Sequence, residues 1–290
     1  MTTQYNRARQ DLGNIVHLEH VNVVIPDQRL ATIFYLSGMG FTRDPYLMAG
    51  IDNMWVNVGR SQFHLPSRGA QTQVLRGCVG IVMPDLAALK LRLQKVAPLL
   101  AETRYAWEER DGAVEATCPW GNRFRCHAPA PEFGDTDLAI AYVTFDVPPG
   151  SARGIARFYE DIMGARAAVE GAAGSETAVI SVSSTQRLRF RESARPLPEY
   201  DGHHIQVYVS DFSGPHRRLL ERGLVTEESD EYQYRFRDLV DLASGKPLFT
   251  IEHEVRSLTH PLYARPLVNR NPEQSNRRYV RGHDTFRGTY

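Results

Sequence analysis

Four stretches of this chain repeat one arrangement of apolar and polar positions, an alternating run closed by a turn. They are His20-Val-Asn-Val-Val-Ile-Pro-Asp27, Cys78-Val-Gly-Ile-Val-Met-Pro-Asp85, Tyr142-Val-Thr-Phe-Asp-Val-Pro-Pro149 and His204-Ile-Gln-Val-Tyr-Val-Ser-Asp211. Period-two alternation predicts a strand in each. Their first residues, at 20, 78, 142 and 204, lie 58, 64 and 62 positions apart, so a unit of about sixty residues occurs four times. After each strand, apolar residues fall at three- and four-residue spacings, which predicts helices over 28–39, 86–100, 151–163 and 212–222. Pro215 is compatible only with the first turn of the last helix. Short β-rich stretches follow, including 54–59, 62–65, 178–182, 232–237 and 248–252. The unit reads β-α-β-β-β.

Units one and three share Phe34-Tyr35 and Phe158-Tyr159 in their helices, whereas units two and four share a turn before the last strand, Trp120-Gly-Asn122 and Ser244-Gly-Lys246. This points to duplication of a paired unit. The expected organisation is an N-terminal arm over 1–14, a first module over 15–130, a second over 137–255 and a tail over 256–290. The stretch Ala128-Pro-Ala-Pro-Glu-Phe-Gly134 has linker composition. The tail, rich in Arg, Asn and Pro, either wraps over a module or stays disordered at its end.

Composition narrows the partners. Lys plus Arg and Asp plus Glu both number 34, so the zero net charge gives no field favouring nucleic acid or anionic lipid. No run reaches the roughly 18 apolar residues of a membrane span, and the start lacks a secretory apolar core, so a cytoplasmic location is expected. Cys78, Cys118 and Cys126 have no CxxC spacing, which indicates reduced thiols and no cysteine-based zinc site.

Paired β-α-β-β-β units with a His-Val or His-Ile first strand, a Phe-Tyr helix and a Gly-Asn turn before the last strand resemble the vicinal oxygen chelate superfamily, over about residues 15–255. That superfamily includes glyoxalase I, extradiol ring-cleaving dioxygenases and fosfomycin and bleomycin resistance proteins. The resemblance implies an α+β fold of two tandem modules. Each would hold two βαβββ units forming a cupped, barrel-like mixed sheet with helices outside. It also implies a divalent metal held from the first strand and the last strand of each unit.

Alternation independently selects the residues facing such a cup. Ile205, Val207 and Val209 form the apolar row, leaving His204, Gln206 and Tyr208 on the opposite row. The same reading turns His20 and Asn22, Cys78, Tyr142 and Thr144, Gln62 and His64, Arg125, Arg189 and Arg191, and Glu252 inward, and turns His203 and His253 away. In the second module His204 and Glu252 are the expected ligands, with Tyr142 where the family pattern has another histidine. Imidazole plus carboxylate suits Fe2+, Mn2+, Ni2+ or Zn2+. The first module presents His20, His64 and Cys78 as a further ligand set, with Arg125 where the family usually carries Glu. This suggests a degenerate copy in which Arg125 binds a ligand carboxylate or phenolate beside Asn22, Gln62 and His64.

Tyr142 and Tyr208 are the expected proton donors or bases, and Arg189, Arg191 and Gln206 the substrate contacts. His260 and Tyr263 join them if the tail crosses the cup mouth. The resulting expectation is a metal-dependent enzyme acting on a small oxygen-rich or aromatic molecule, most like the extradiol dioxygenases. Two other readings compete: a metal-free ligand-binding or resistance protein, and a metal-independent isomerase, lyase or hydrolase using Tyr142 and His204. The partner expected is a small-molecule substrate, with no nucleic acid or membrane, and open curved sheets would accommodate a homodimer.

Overall fold

The computed structural model describes residues 5–47, 52–271 and 273–283. All four units are present, each as a strand, a helical segment and three further strands. The first unit runs β1 (Ile15–Asn22), α1 (Gln28–Ala31, continued by a π-type turn over Thr32–Gly38), β2 (Thr42–Arg43), β3 (Asn53–Val58) and β4 (Ser61–Pro66). The second is β5 (Gly77–Val82), α2 (Leu86–Val96), β6 (Ala106–Arg110), β7 (Ala113–Thr117) and β8 (Arg123–His127). The third is β9 (Ala139–Val147), α3 (Ala152–Asp161), β10 (Ala167–Glu170), β11 (Thr177–Ser181) and β12 (Arg187–Glu192). The fourth is β13 (His204–Val209), α4 (Ser213–Leu220), β14 (Val225–Asp230), β15 (Gln233–Val240) and β16 (Pro247–Ser257). No helix of the described residues is long and apolar enough to cross a membrane.

The repeated aspartate that closes the first strands has a local task. Asp27 Oδ1 accepts from the amides of Arg29 and Leu30, at 2.6 and 3.1 Å, and Asp85 Oδ1 does the same for Ala87 and Ala88. In the fourth unit Asp211 accepts from Gly214 N at 2.9 Å. Asp27 and Asp85 are N-caps, and all three aspartates satisfy amides that have no intrahelical partner. The helices then bury one stripe; α3 buries Ile155, Phe158 and Tyr159, with Ile162 following.

The strands form two open eight-stranded mixed sheets, ordered β14-β15-β16-β13-β1-β4-β3-β2 and β10-β11-β12-β9-β5-β8-β7-β6. Here the expected partnering of consecutive units is corrected. The first unit shares its sheet with the fourth, through the antiparallel pair β1–β13, and the second shares its sheet with the third, through β5–β9. Consecutive units meet instead through side chains. Phe34 packs on Phe124 at 5.5 Å between ring centroids, and Phe158 on Phe236 at 5.9 Å. The 128–134 stretch therefore leads from β8 to β9 within one sheet. Ladder bonds between first strands use backbone groups that every residue carries, so no side-chain pattern specifies which unit is the sheet partner.

One buried side chain ties the sheets together. Gln186, 4% exposed, accepts from Leu18 N (3.1 Å) and faces His17 Nδ1 (3.0 Å) through Oε1, and donates through Nε2 toward Leu18 O (3.1 Å) and Ile140 O (3.0 Å).

Candidate metal centre

The cross-unit sheet places on one face residues that the sequence divides between two modules. Asn22 lies opposite His204 and beside His64, His20 lies opposite Gln206, and His204 lies beside Glu252. One nitrogen from each of His20, His64 and His204 falls within 4.8 Å of the others. The two histidines expected to form a separate first-module set thus join the second-module pair. Glu252 Oε1 is 3.5 Å from His204 Nδ1, and Glu254 Oε2 is 3.7 Å from His204 Nε2.

Hydrogen bonds fix which ring nitrogens carry protons. His20 Nδ1 donates to Glu19 Oε2 at 2.5 Å, leaving Nε2 buried without a partner. His64 Nε2 donates to Asn53 Oδ1 at 2.6 Å, which leaves Nδ1 as the lone pair. His204 Nε2 is also buried with no hydrogen-bond partner. Trp55 lies flat on His64, ring centroids 3.8 Å apart, and meets His20 edge-on at 5.0 Å. Burial, reinforced by neighbouring His20, pushes the His64 imidazole down to about 2 and holds His204 well below the ordinary histidine range. Both rings are neutral donors at physiological pH.

The surroundings carry the complementary charge. Arg235 bonds Glu252 Oε1 at 2.6 Å and also bonds Glu254, and Arg256 Nη2 is 2.6 Å from Glu254 Oε1. Burial alone would raise Glu19, but the charge and hydrogen bond of His20 outweigh it and keep the carboxyl below its usual range. Three carboxylates, Glu19, Glu252 and Glu254, and two guanidiniums, Arg235 and Arg256, surround the imidazoles, a carboxylate-rich shell that suits a cation. The donor set fits a divalent transition metal held by His20, His64 and His204, with Glu252 next in reach.

The remaining expected residues divide between the two sheets. Gln206 and Tyr208 flank His204 on β13, both fully buried, and burial pushes the Tyr208 phenol up to about 12. Gln62 gives its amide to Asn57 Oδ1 (2.5 Å) and Asp44 Oδ2 (3.1 Å), so it braces the wall of the site. The tail does cross this region. Tyr263 and His260 approach Tyr208, at 4.9 and 6.2 Å between ring centroids, and Arg265 Nη2 reaches Asp44 at 2.7 Å. A cavity of about 960 Å³ between the sheets is lined by Glu19, Gln186 and Tyr208 and by Tyr263, Arg265 and Leu267 of the tail; Glu19 is its link to the site, and none of the three histidines lines it.

Cys78, Arg125, Tyr142, Arg189 and Arg191 lie on the second sheet and share no site with His204, which corrects the expected roles of Tyr142 and Cys78 there. Burial pushes the Cys78 thiol up to about 11, the opposite of a thiolate ligand. Arg125 pairs with Glu115 and Arg191 with Asp146, while Tyr142 OH is 2.8 Å from His127 Nε2. His253 and His203 point away from the site, as alternation predicts. His253 Nε2 meets Tyr159 OH at 2.5 Å in the core, and His203 Nδ1 meets Asp201 at 2.6 Å.

Sequence reading missed Glu19, Asn53, Glu254, Arg235 and Arg256. Glu254 and Arg256 carry a usable signal, since they follow Glu252 at the two-residue period of one strand face. Glu19 carries none: a bulge between Leu18 and His20 breaks the alternation and lets adjacent side chains meet.

No family model matches the chain, and no curated protein sequence matches it. Solved structures do. A glyoxalase I variant from Zea mays superposes with a TM-score of 0.59 at 13% identity, covering 83% of this chain and 92% of that one. The fold is that of the vicinal oxygen chelate superfamily. Glyoxalase I from Zea mays itself gives 0.56 at 11% identity, over 83% of this chain and 92% of that one. A protein described as a putative dioxygenase from Bacillus subtilis subsp. subtilis str. 168 gives 0.55 at 15% identity, covering 85% and 86%. At these identities the likeness is one of architecture, so any vicinal oxygen chelate chemistry rests on the residues of this chain.

Proposed function

We propose that this chain is a divalent-metal-dependent enzyme acting on a small oxygen-rich or aromatic molecule at His20, His64 and His204, with ring-cleaving dioxygenation as its leading reaction. The observation carrying this reading is the meeting of three imidazoles, two of them oriented by hydrogen bonds on the opposite nitrogen. A bound cation would supply Lewis acidity and a template for two neighbouring substrate oxygens, since three nitrogen ligands leave about half of a six-coordinate shell open.

The chain's own groups do the rest. Glu19 keeps the His20 proton on Nδ1, and Asn53 keeps the His64 proton on Nε2. Arg235 holds both carboxylates of β16 beside His204, where Glu252, the more exposed of the two, is placed to take a proton from a substrate hydroxyl. Tyr208, which lines the cavity, keeps its buried hydroxyl protonated as a neutral donor. The tail packs over this flank through Tyr263 on Tyr208 and Arg265 on Asp44. Those base-placed carboxylates also favour a second reading, oxygen-independent isomerisation or lyase chemistry. The metal-independent Tyr142–His204 mechanism is abandoned, because those residues belong to different sheets.

The test is elemental analysis of protein prepared anaerobically with Fe2+, followed by oxygen-electrode assays on a panel of substituted catechols. About one metal per chain, lost in His204→Ala and His64→Ala, is expected. Oxygen uptake with the panel supports ring cleavage, and turnover of α-hydroxycarbonyls without oxygen uptake supports the second reading. A wild-type protein that takes up no metal removes both.

A further inference from the structure

The polar face of the second sheet repeats the register of the metal centre with its charge reversed. Gly80 lies opposite Tyr142 and beside Arg125, and Tyr142 lies beside Arg187. In the first sheet Asn22 lies opposite His204 and beside His64, and His204 beside Glu252. Position for position, Cys78 replaces His20, Arg125 replaces His64, Tyr142 replaces His204 and Arg187 replaces Glu252. One step further along the last strand, Arg189 replaces Glu254.

A cation has no place here, because the Tyr142 ring covers the floor. A Cβ at Gly80 would lie 2.1 Å from that ring, so the absence of a side chain is what lets the phenol lie across the strand. The Arg189 guanidinium stands over the same ring, 4.3 Å from its centroid. The central strands β8, β5, β9 and β12 carry Arg123, Arg125, Arg187, Arg189 and Arg191 on this face against Asp146 alone. Arg123 and Arg191 share Asp146, Arg125 turns to Glu115 and the exposed Asp111, and Arg187 donates to the carbonyls of Ser183 and Gln186. Arg189 alone of the five has neither a carboxylate nor a carbonyl on its donors among the described residues. A part-buried guanidinium fixed on an aromatic face, with a planar fork of donors left over, is built for an oxyanion.

We propose that this face binds the carboxylate or phosphate group of a small molecule, with Arg189 as the primary contact and Arg125 and the Tyr142–His127 pair beside it. The site is independent of the metal centre and of the reaction assigned to it. Titration calorimetry at low ionic strength with inorganic phosphate and with benzoate tests it, on wild type, Arg189→Gln and His204→Ala. Arg189 makes no hydrogen bond within the described structure, so its replacement leaves folding intact, checked by thermal melting. Saturable binding of either probe is expected in wild type and in His204→Ala. It should weaken about tenfold or more in Arg189→Gln, as loss of a charge-assisted contact requires. Phosphate alone or benzoate alone identifies the oxyanion source. Binding that disappears in His204→Ala but persists in Arg189→Gln belongs to a metal in the first sheet and overturns the proposal, as does the absence of binding to wild type.

Discussion

Replacing Gln186 with Met probes the joint between the two sheets. The substitution keeps the length and most of the volume of the side chain, so little cavity energy enters. What it removes is a hydrogen-bonding hub. Leu18 O keeps a partner, because Ser61 Oγ donates to it at 2.7 Å. Leu18 N and Ile140 O lose the amide, and both residues are fully buried. An orphaned buried backbone group costs about 1–3 kcal/mol. Two of them, less the gain from burying a thioether in place of an amide, give a net loss of about 2–4 kcal/mol. For a chain of 290 residues that corresponds to a fall in melting temperature of roughly 3–7 °C. Urea unfolding followed by far-ultraviolet dichroism gives the free energy, and an unchanged m-value shows that the same surface is exposed. A loss under about 1 kcal/mol would mean that neither backbone group depends on the amide, refuting the assignment of Gln186 as the joint.

Other substitutions address separate elements. His253 is pushed down to about 3 by burial, so the unfolded chain takes up its proton first. Its stabilising contribution is complete above about 6.5 and is lost as pH falls toward 3, at about 1.4 kcal/mol per unit. His253→Phe should flatten the pH dependence of the urea midpoint between pH 6.5 and 4 by one proton's worth, and an unchanged slope would contradict the neutral core assignment. At Gly77 a Cβ would lie 1.7 Å from Thr144 O, so Gly77→Ala must part β5 from β9. It is expected to cost more than about 3 kcal/mol or leave the protein insoluble, read by soluble yield and melting temperature. Arg265→Ala leaves the buried Asp44 carboxylate its hydrogen bonds from Gln62, Tyr46 and Leu47 but removes its counter-charge and frees the tail, so limited trypsin digestion should cut the tail faster than in wild type. Equal cleavage rates would show that this contact does not hold the strap.

The side-chain pattern made the repeat legible because each unit must bury one face of every strand and one stripe of its helix. The same requirement placed His204 and Glu252 on one face and sent His203 and His253 to the other. Sheet partnership stayed hidden, since the β1–β13 and β5–β9 ladders are made by main-chain groups common to all residues. The separation of His20 and His64 from His204 into two sites was a consequence of that gap, as was grouping Tyr142 with Glu252. Glu19 escaped because a bulge is invisible to alternation, and Arg235 because its meeting with Glu252 and Glu254 depends on the register of β15. In the second sheet the row of arginines was visible as an alternating strand, but the tyrosine plug over Gly80 was not, because it depends on two strands meeting at one residue pair.

Because β1 and β13 are ladder neighbours, the histidine nest draws on the first unit and the fourth. During synthesis the histidines of the first unit must wait, with an open strand edge, until the fourth unit has been translated. A chain released early carries half a nest, and its lone edge is a template for pairing with another copy. Such fragments would be prone to aggregate.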